Sequence, residues 1–250
     1  MTRKYVTVIV KHSTKLQSRG RSLSYAGIGL LIAATSVAGF GPTYYFKGFF
    51  DTPPLTSLVH VHAVVMTCWL VLFVTQSRLI SGDRIDVHRR LGVAGGVLAL
   101  AVIGVGYQTA IAAARHGFVV KGGFPYGPLG FLAISLADLV VFGALVAAAL
   151  YFRWSKSDSH KRLMLLATVS LIAPGISRLP FSVSFLPAAG LATLAATVLP
   201  LICAWIDRRA HGRLHPAYLW GGGFLVLSQP ARGILAAIPA WQQFAGWLTS

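Results

Sequence analysis

Residues 128–151 read PLGFLAISLADLVVFGALVAAALY, twenty-four positions with one ionisable side chain, Asp138. About 20 apolar residues cross the hydrocarbon core of a bilayer as a helix. Lipid offers no partner for backbone N–H and C=O groups, so such a run satisfies them internally, as a helix does. On one side, 57–79 (SLVHVHAVVMTCWLVLFVTQSRL) and 90–113 repeat the pattern; further out, 24–42, 162–184, 189–206 and 217–237 do the same. The fold class expected is all-α: a polytopic membrane helical bundle of about seven transmembrane helices. Residues 24–250 form its single domain, and residues 1–23 form a basic tail.

Composition agrees. Hydrophobic residues make up 55% of the chain and charged residues 11%, against roughly a quarter charged in soluble domains. The six acids are all Asp, and the net charge is +16. That charge sits in short segments between apolar runs, which excludes a nucleic-acid-binding face. Seventeen cations fall in the tail and in the loops after the second, fourth and sixth spans. Only Lys47, Arg115 and Lys121 fall in the opposite loops. Under the positive-inside rule the N-terminus is cytoplasmic and the C-terminus outside, in a bacterial inner membrane. Trp154, Trp205 and Trp220 sit at the inner ends, and the amphipathic stretch after Pro239 suits the outer interface. Cys68 and Cys203 lie inside spans and read as free thiols. The tail lacks a small-residue cleavage site and reads as retained.

A short motif recurs. Asp86-Val-His88-Arg89-Arg90-Leu91 opens the third span, Asp158-Ser-His160-Lys161-Arg162-Leu163 the fifth and Arg213-Leu-His215-Pro216 the seventh. Asp86 and Asp158 are candidate N-caps, and Pro216 suits a first helical position. His88, His160 and His215 thereby share one level at the inner face. Histidines on separate helices at one height can ligate haem iron or another metal, and the same residues also suit a headgroup-facing interface.

A second polar layer lies about 22–30 Å from the inner ends at 1.5 Å rise per residue. It holds His62, Tyr107, Gln108, Asp138, Arg178 and Arg232, from five spans. Intramembrane ionisable groups rarely face lipid, so these are expected to face one another, with surplus positive charge for an anionic ligand or a quinone carbonyl. His60 and His62 point about 200° apart on a helix, and His62 shares a face with Met66 and Trp69. Pro174 and Pro230 precede the two arginines and are expected to bend their helices. Gly95-Gly96 and Gly221-Gly222-Gly223 allow close helix contact.

The string His62-Ala-Val-Val-Met66-Thr-Cys-Trp69, then Gln76, His88-Arg89-Arg90-Leu91-Gly92, His160-Lys-Arg-Leu-Met164 and His215-Pro216 resembles an uncharacterised family of bacterial multi-span membrane proteins. More loosely, His-Ala-x-x-Met-x-x-Trp followed by a span opening His-Arg is similar to transmembrane cytochrome b561. That similarity implies b-type haem held by histidines two spans apart, with His88 and His160 as one pair. The second pair of that family lacks its match, because the fourth span carries Asp138 and no histidine, and the family has six spans.

Three functions stay open on these residues. One is a haem b-binding redox protein with quinone-linked electron transfer. Another is a transporter, binding protein or membrane enzyme for an anionic or lipid-like small molecule. The last is an accessory or assembly subunit of a larger membrane complex, or a homo-oligomer. Whether the chain is an enzyme is open at this stage. The last span has no lysine for a retinal Schiff base, and no nucleotide-binding loop occurs.

Overall fold

The computed structural model describes residues 25–117, 126–179 and 188–250; the basic tail, Lys121 and the last five residues of the expected 162–184 span lie outside them. The described residues are helical, with no strand. Helix α1 runs Tyr25–Tyr45, α2 Ser57–Ser81, α3 Ile85–Arg115, α4 Gly127–Phe152, α5 Ser157–Val169, α6 Ala173–Ile176, α7 Ala188–His211, α8 Tyr218–Ala237 and α9 Pro239–Thr249. Among them α1, α2, α3, α4 and the stretch Ala189–His211 of α7 are long and apolar enough to cross a membrane. The bent pair α8–α9 makes a sixth if counted as one span.

The fifth expected span, 162–184, is not a continuous helix. Helix α5 ends at Val169, and α6 covers only Ala173–Ile176. Pro174 has no N–H to give the carbonyl of Ser170, so the ladder breaks there. Leu171 and Ile172 instead donate to the carbonyls of Thr168 and Val169, at 3.2 and 3.1 Å, and Arg178 donates to Gly175 at 3.2 Å. These are the tighter bonds of a 3₁₀ turn. Pro216 opens the last long helix as expected, and its first turns widen into π geometry over Tyr218–Gly222.

Asp86 and Asp158 are not N-caps. Arg84 and Lys156 occupy the cap positions, and each Asp lies in the first helical turn without a capping bond. There the carboxylate still complements the positive end of the helix dipole.

Helix α4 is the centre of the bundle. It packs against α3, α5, α8 and α9. Its Phe142 meets Trp69 of α2 edge to face at 4.8 Å, and Leu145, Leu166 and Leu225 complete a buried core from three helices. Gly221 lets these helices approach closely: a Cβ there would sit 2.7 Å from the Leu163 side chain and 3.2 Å from that of Leu145, and both would have to shift. Cys68 is exposed, Cys203 is buried, and both are free.

The tightest crossing joins α1 to α6. A Cβ on Gly39 would lie 2.0 Å from the carbonyl oxygen of Gly175, a backbone atom that cannot swing aside. Gly39→Val is therefore expected to lower the Tm in detergent, by an overpacking cost of about 1–3 kcal/mol or more. Gly27→Val, with nothing within 4 Å of its Cβ, serves as control. Equal thermal midpoints for the two variants would refute this crossing.

At the end where α3 finishes and α4 begins, α9 folds back at 79° to α8. Ile238 is extended, as a residue before proline prefers. Ala245 of α9 packs among Ile111, Ala114 and Leu132. The Trp241 indole N–H donates to the carbonyl of Leu129 at 2.9 Å, and Arg115 donates to the carbonyls of Thr249 and Ser250 at 3.2 and 3.1 Å. Helix α9 thus lies across the ends of α3 and α4 with its other face exposed.

Candidate functional site

Two of the three motif histidines come together. His88 in the first turn of α3 and His160 in the first turn of α5 have ring centroids 6.3 Å apart, with planes at 80°. The antiparallel α4 between them brings both N-termini to one end of the bundle, which fixes their common level. His160 Nδ1 lies 2.9 Å from the carbonyl oxygen of Ala149, in the last full turn of α4. A carbonyl only accepts, so Nδ1 carries the proton and Nε2 keeps its lone pair. Gln76 of α2 donates from Nε2 to the carbonyl of His88 at 3.2 Å. His88 Nδ1 and Gln76 Oε1 are both buried with no hydrogen-bond partner among the described residues. Ordered water or a bound group would satisfy such atoms.

His215 does not join this pair. Its Nδ1 accepts the backbone N–H of Ala217 at 3.1 Å, so it caps the start of α8. An Nδ1 that accepts places the proton of the neutral ring on Nε2, which removes that nitrogen as a metal ligand. Burial first, and then the nearby Arg162 charge, hold the His215 imidazole below its ordinary range, in the neutral form that caps. Among the described residues no three His, Cys, Asp or Glu side chains group as a metal-holding set. The expected three-histidine centre reduces to a pair.

Beside His215 lies a network that the positive-inside reading passes over. Arg162 is 1% exposed and forks onto Asp207 of α7, Nε to Oδ2 at 3.0 Å and Nη2 to Oδ1 at 2.9 Å. It also donates to the carbonyl of Asp158 at 2.8 Å. His211 Nδ1 stands 3.3 Å from Asp207 Oδ1 and 2.9 Å from the Asp207 carbonyl. Lys161 pairs with the exposed carboxylate of Asp158. Counting cations by side assigns Arg162 to the headgroup zone. Its place four residues beyond Asp158, on the face that carries Leu165, Leu166 and Val169, was the available signal for burial.

The second polar layer divides. Arg232 of α8 pairs with Asp138 of α4 and donates from Nη2 to Ser228 Oγ at 3.0 Å. Arg178 lies elsewhere. It donates to the carbonyl of Pro174 at 2.9 Å and stands 4.6 Å over the Phe40 ring of α1. His62 is half-buried and His60 exposed, as their 200° separation requires. His62 Nδ1 is buried without a hydrogen-bond partner among the described residues, whereas His60 rests against Tyr44 at 5.6 Å. The single cluster expected around Asp138 therefore divides, with Arg232 on the carboxylate and Arg178 against Phe40 and the Pro174 carbonyl.

Tyr107 and Gln108 belong to neither. Both are exposed, Tyr107 at 43%. Gly106 is the residue of α3 that faces α4, against Leu139. The next two positions turn roughly 100° and 200° away from that contact.

No family model, curated protein or solved structure matches this chain.

Proposed function

We propose that this chain is a multi-pass protein of the bacterial inner membrane that carries electrons through one metal centre held by His88 and His160, with haem b as the leading candidate. In this reading the fifth crossing is the broken segment α5–α6, giving seven crossings with the N-terminus cytoplasmic and the C-terminus outside. The observation that carries it is the 6.3 Å separation of the two rings. Imidazole nitrogens each about 2 Å from one ion put ring centres roughly 6 Å apart when the ion lies between them. The His160 tautomer fits as well. Ligating histidines commonly donate their other N–H to a backbone carbonyl, which fixes ring orientation and raises basicity. Ala149 supplies that carbonyl here. Such a group, when bound, supplies one-electron chemistry. The polypeptide orients the two rings from α3 and α5, and Gln76 ties α2 to the start of α3.

A second reading rests on His62. Its orphaned Nδ1, with the Arg178 charge nearby, supports a site for an anionic small molecule or a quinone carbonyl in the opposite half of the bundle.

The histidine variants separate the possibilities. Metal content of protein purified in mild detergent is expected to fall at least tenfold in His88→Ala and in His160→Ala, since loss of a ligand costs more than the 10–100-fold of an outer-shell change. His215→Ala is expected to keep its metal, because that ring is a cap. Equal metal content in all three variants would contradict the pair.

A further inference from the structure

At the histidine end of the bundle, Arg89 of α3 and Arg153 just after α4 both lie over the indole of Trp154. The distances from guanidinium carbon to ring centroid are 5.8 and 5.2 Å. All three side chains are exposed. Two like charges gathered on one ring repel each other. Among the described residues no carboxylate lies within ion-pair distance of either arginine. An anionic lipid headgroup would supply the counter-charge that the chain does not.

Arg89 also begins a lipid-facing stripe. Val93, Val97 and Leu100 follow it on the same helix face, at i+4, i+8 and i+11, and all are exposed. A cationic fork with an interfacial tryptophan at one end and an apolar track running away from it matches an amphiphile with an anionic head. A free anion would use the fork and ignore the track.

We propose that Arg89, Arg153 and Trp154 form a binding site for an anionic phospholipid, with the headgroup phosphate between the two guanidinium groups and an acyl chain along Val93, Val97 and Leu100. Guanidinium groups suit phosphate because their donors match its oxygens in pairs. The site abuts the histidine pair, for Arg89 follows His88 directly in α3. The lipid site itself needs only the membrane setting and stands whether or not the pair holds a metal.

Native mass spectrometry of the full chain, loaded in mild detergent with equal phosphatidylglycerol and phosphatidylcholine, tests this. Phosphatidylglycerol is expected to be retained in preference by on the order of tenfold, each arginine contributing roughly fivefold. In Arg89→Gln/Arg153→Gln the preference is expected to vanish, and in Trp154→Ala, which keeps both charges, to weaken. Trp154→Ala also decides the matter if the double variant does not fold. Retention without headgroup preference, or preference unchanged in these variants, overturns the proposal. Complete displacement of the lipid by inorganic phosphate also overturns it, by showing an anion site without a lipid.

Discussion

Asp207→Ala is expected to destabilise the protein by about 3–5 kcal/mol, the cost of removing one partner from a buried ion pair. Arg162 is 1% exposed and sends three donors inward, two of them to this carboxylate. Without Asp207 the guanidinium keeps one carbonyl and the exposed carboxylate of Asp158, 3.5 Å away and shared with Lys161. Its buried charge then loses its two-pronged partner, and the α5–α7 contact loses its only charged clasp among the described residues. The pair itself need not be worth that much. Replacing both members with apolar residues, as in Arg162→Met/Asp207→Leu, is expected to recover most of the loss, because the large term is the orphaned charge. Thermal melts of the two single variants and the double close the cycle. A melting point for Asp207→Ala equal to wild type would show the fork to be absent.

The second large effect is expected from Asp138→Ala, again about 3–5 kcal/mol. Arg232 is 4% exposed within α8, and Asp138 is the one carboxylate it meets. Ser228 holds Nη2, and Arg232 Nε already lacks a partner among the described residues. Taking Asp138 away leaves a cation in the apolar interior, roughly 3 kcal/mol unfavourable on insertion scales. Arg178→Ala is expected to cost much less, because it removes the cation itself, along with its contact to the Phe40 ring and its bond to the Pro174 carbonyl, whereas Asp138→Ala leaves a buried cation behind. If both arginine-site variants melt alike, the division of the second polar layer is wrong.

How much of this could be read from the sequence follows from what a helix fixes. Rise per residue is constant, so the depths of His88, His160, Asp138 and Arg232 follow from counting. Length and apolarity settle α2, α3 and α4, because nothing else satisfies their backbone in lipid. Rotation is less constrained. Tyr107 and Gln108 have the right depth and the wrong azimuth, and Gly106 marks the packed face they turn from. The histidines fail for another reason. His215 matches His88 and His160 in motif, but Pro216 makes it the residue before a helix, where its ring caps the backbone. The break after α5 is legible in Pro174, while its extent depends on how Leu171 and Ile172 redirect their bonds. Which arginine takes which carboxylate depends on helix neighbours that spacing does not give. Arg162–Asp207 spans α5 and α7, and Asp138–Arg232 spans α4 and α8.

The paired imidazoles of α3 and α5 carry the functional account, and an absorption spectrum with metal analysis of the detergent-purified wild-type chain tests them most directly. The expected result is a Soret band with one iron per chain, both lost in His160→Ala. A colourless preparation without metal, from protein shown to be folded by its melting transition, would contradict it.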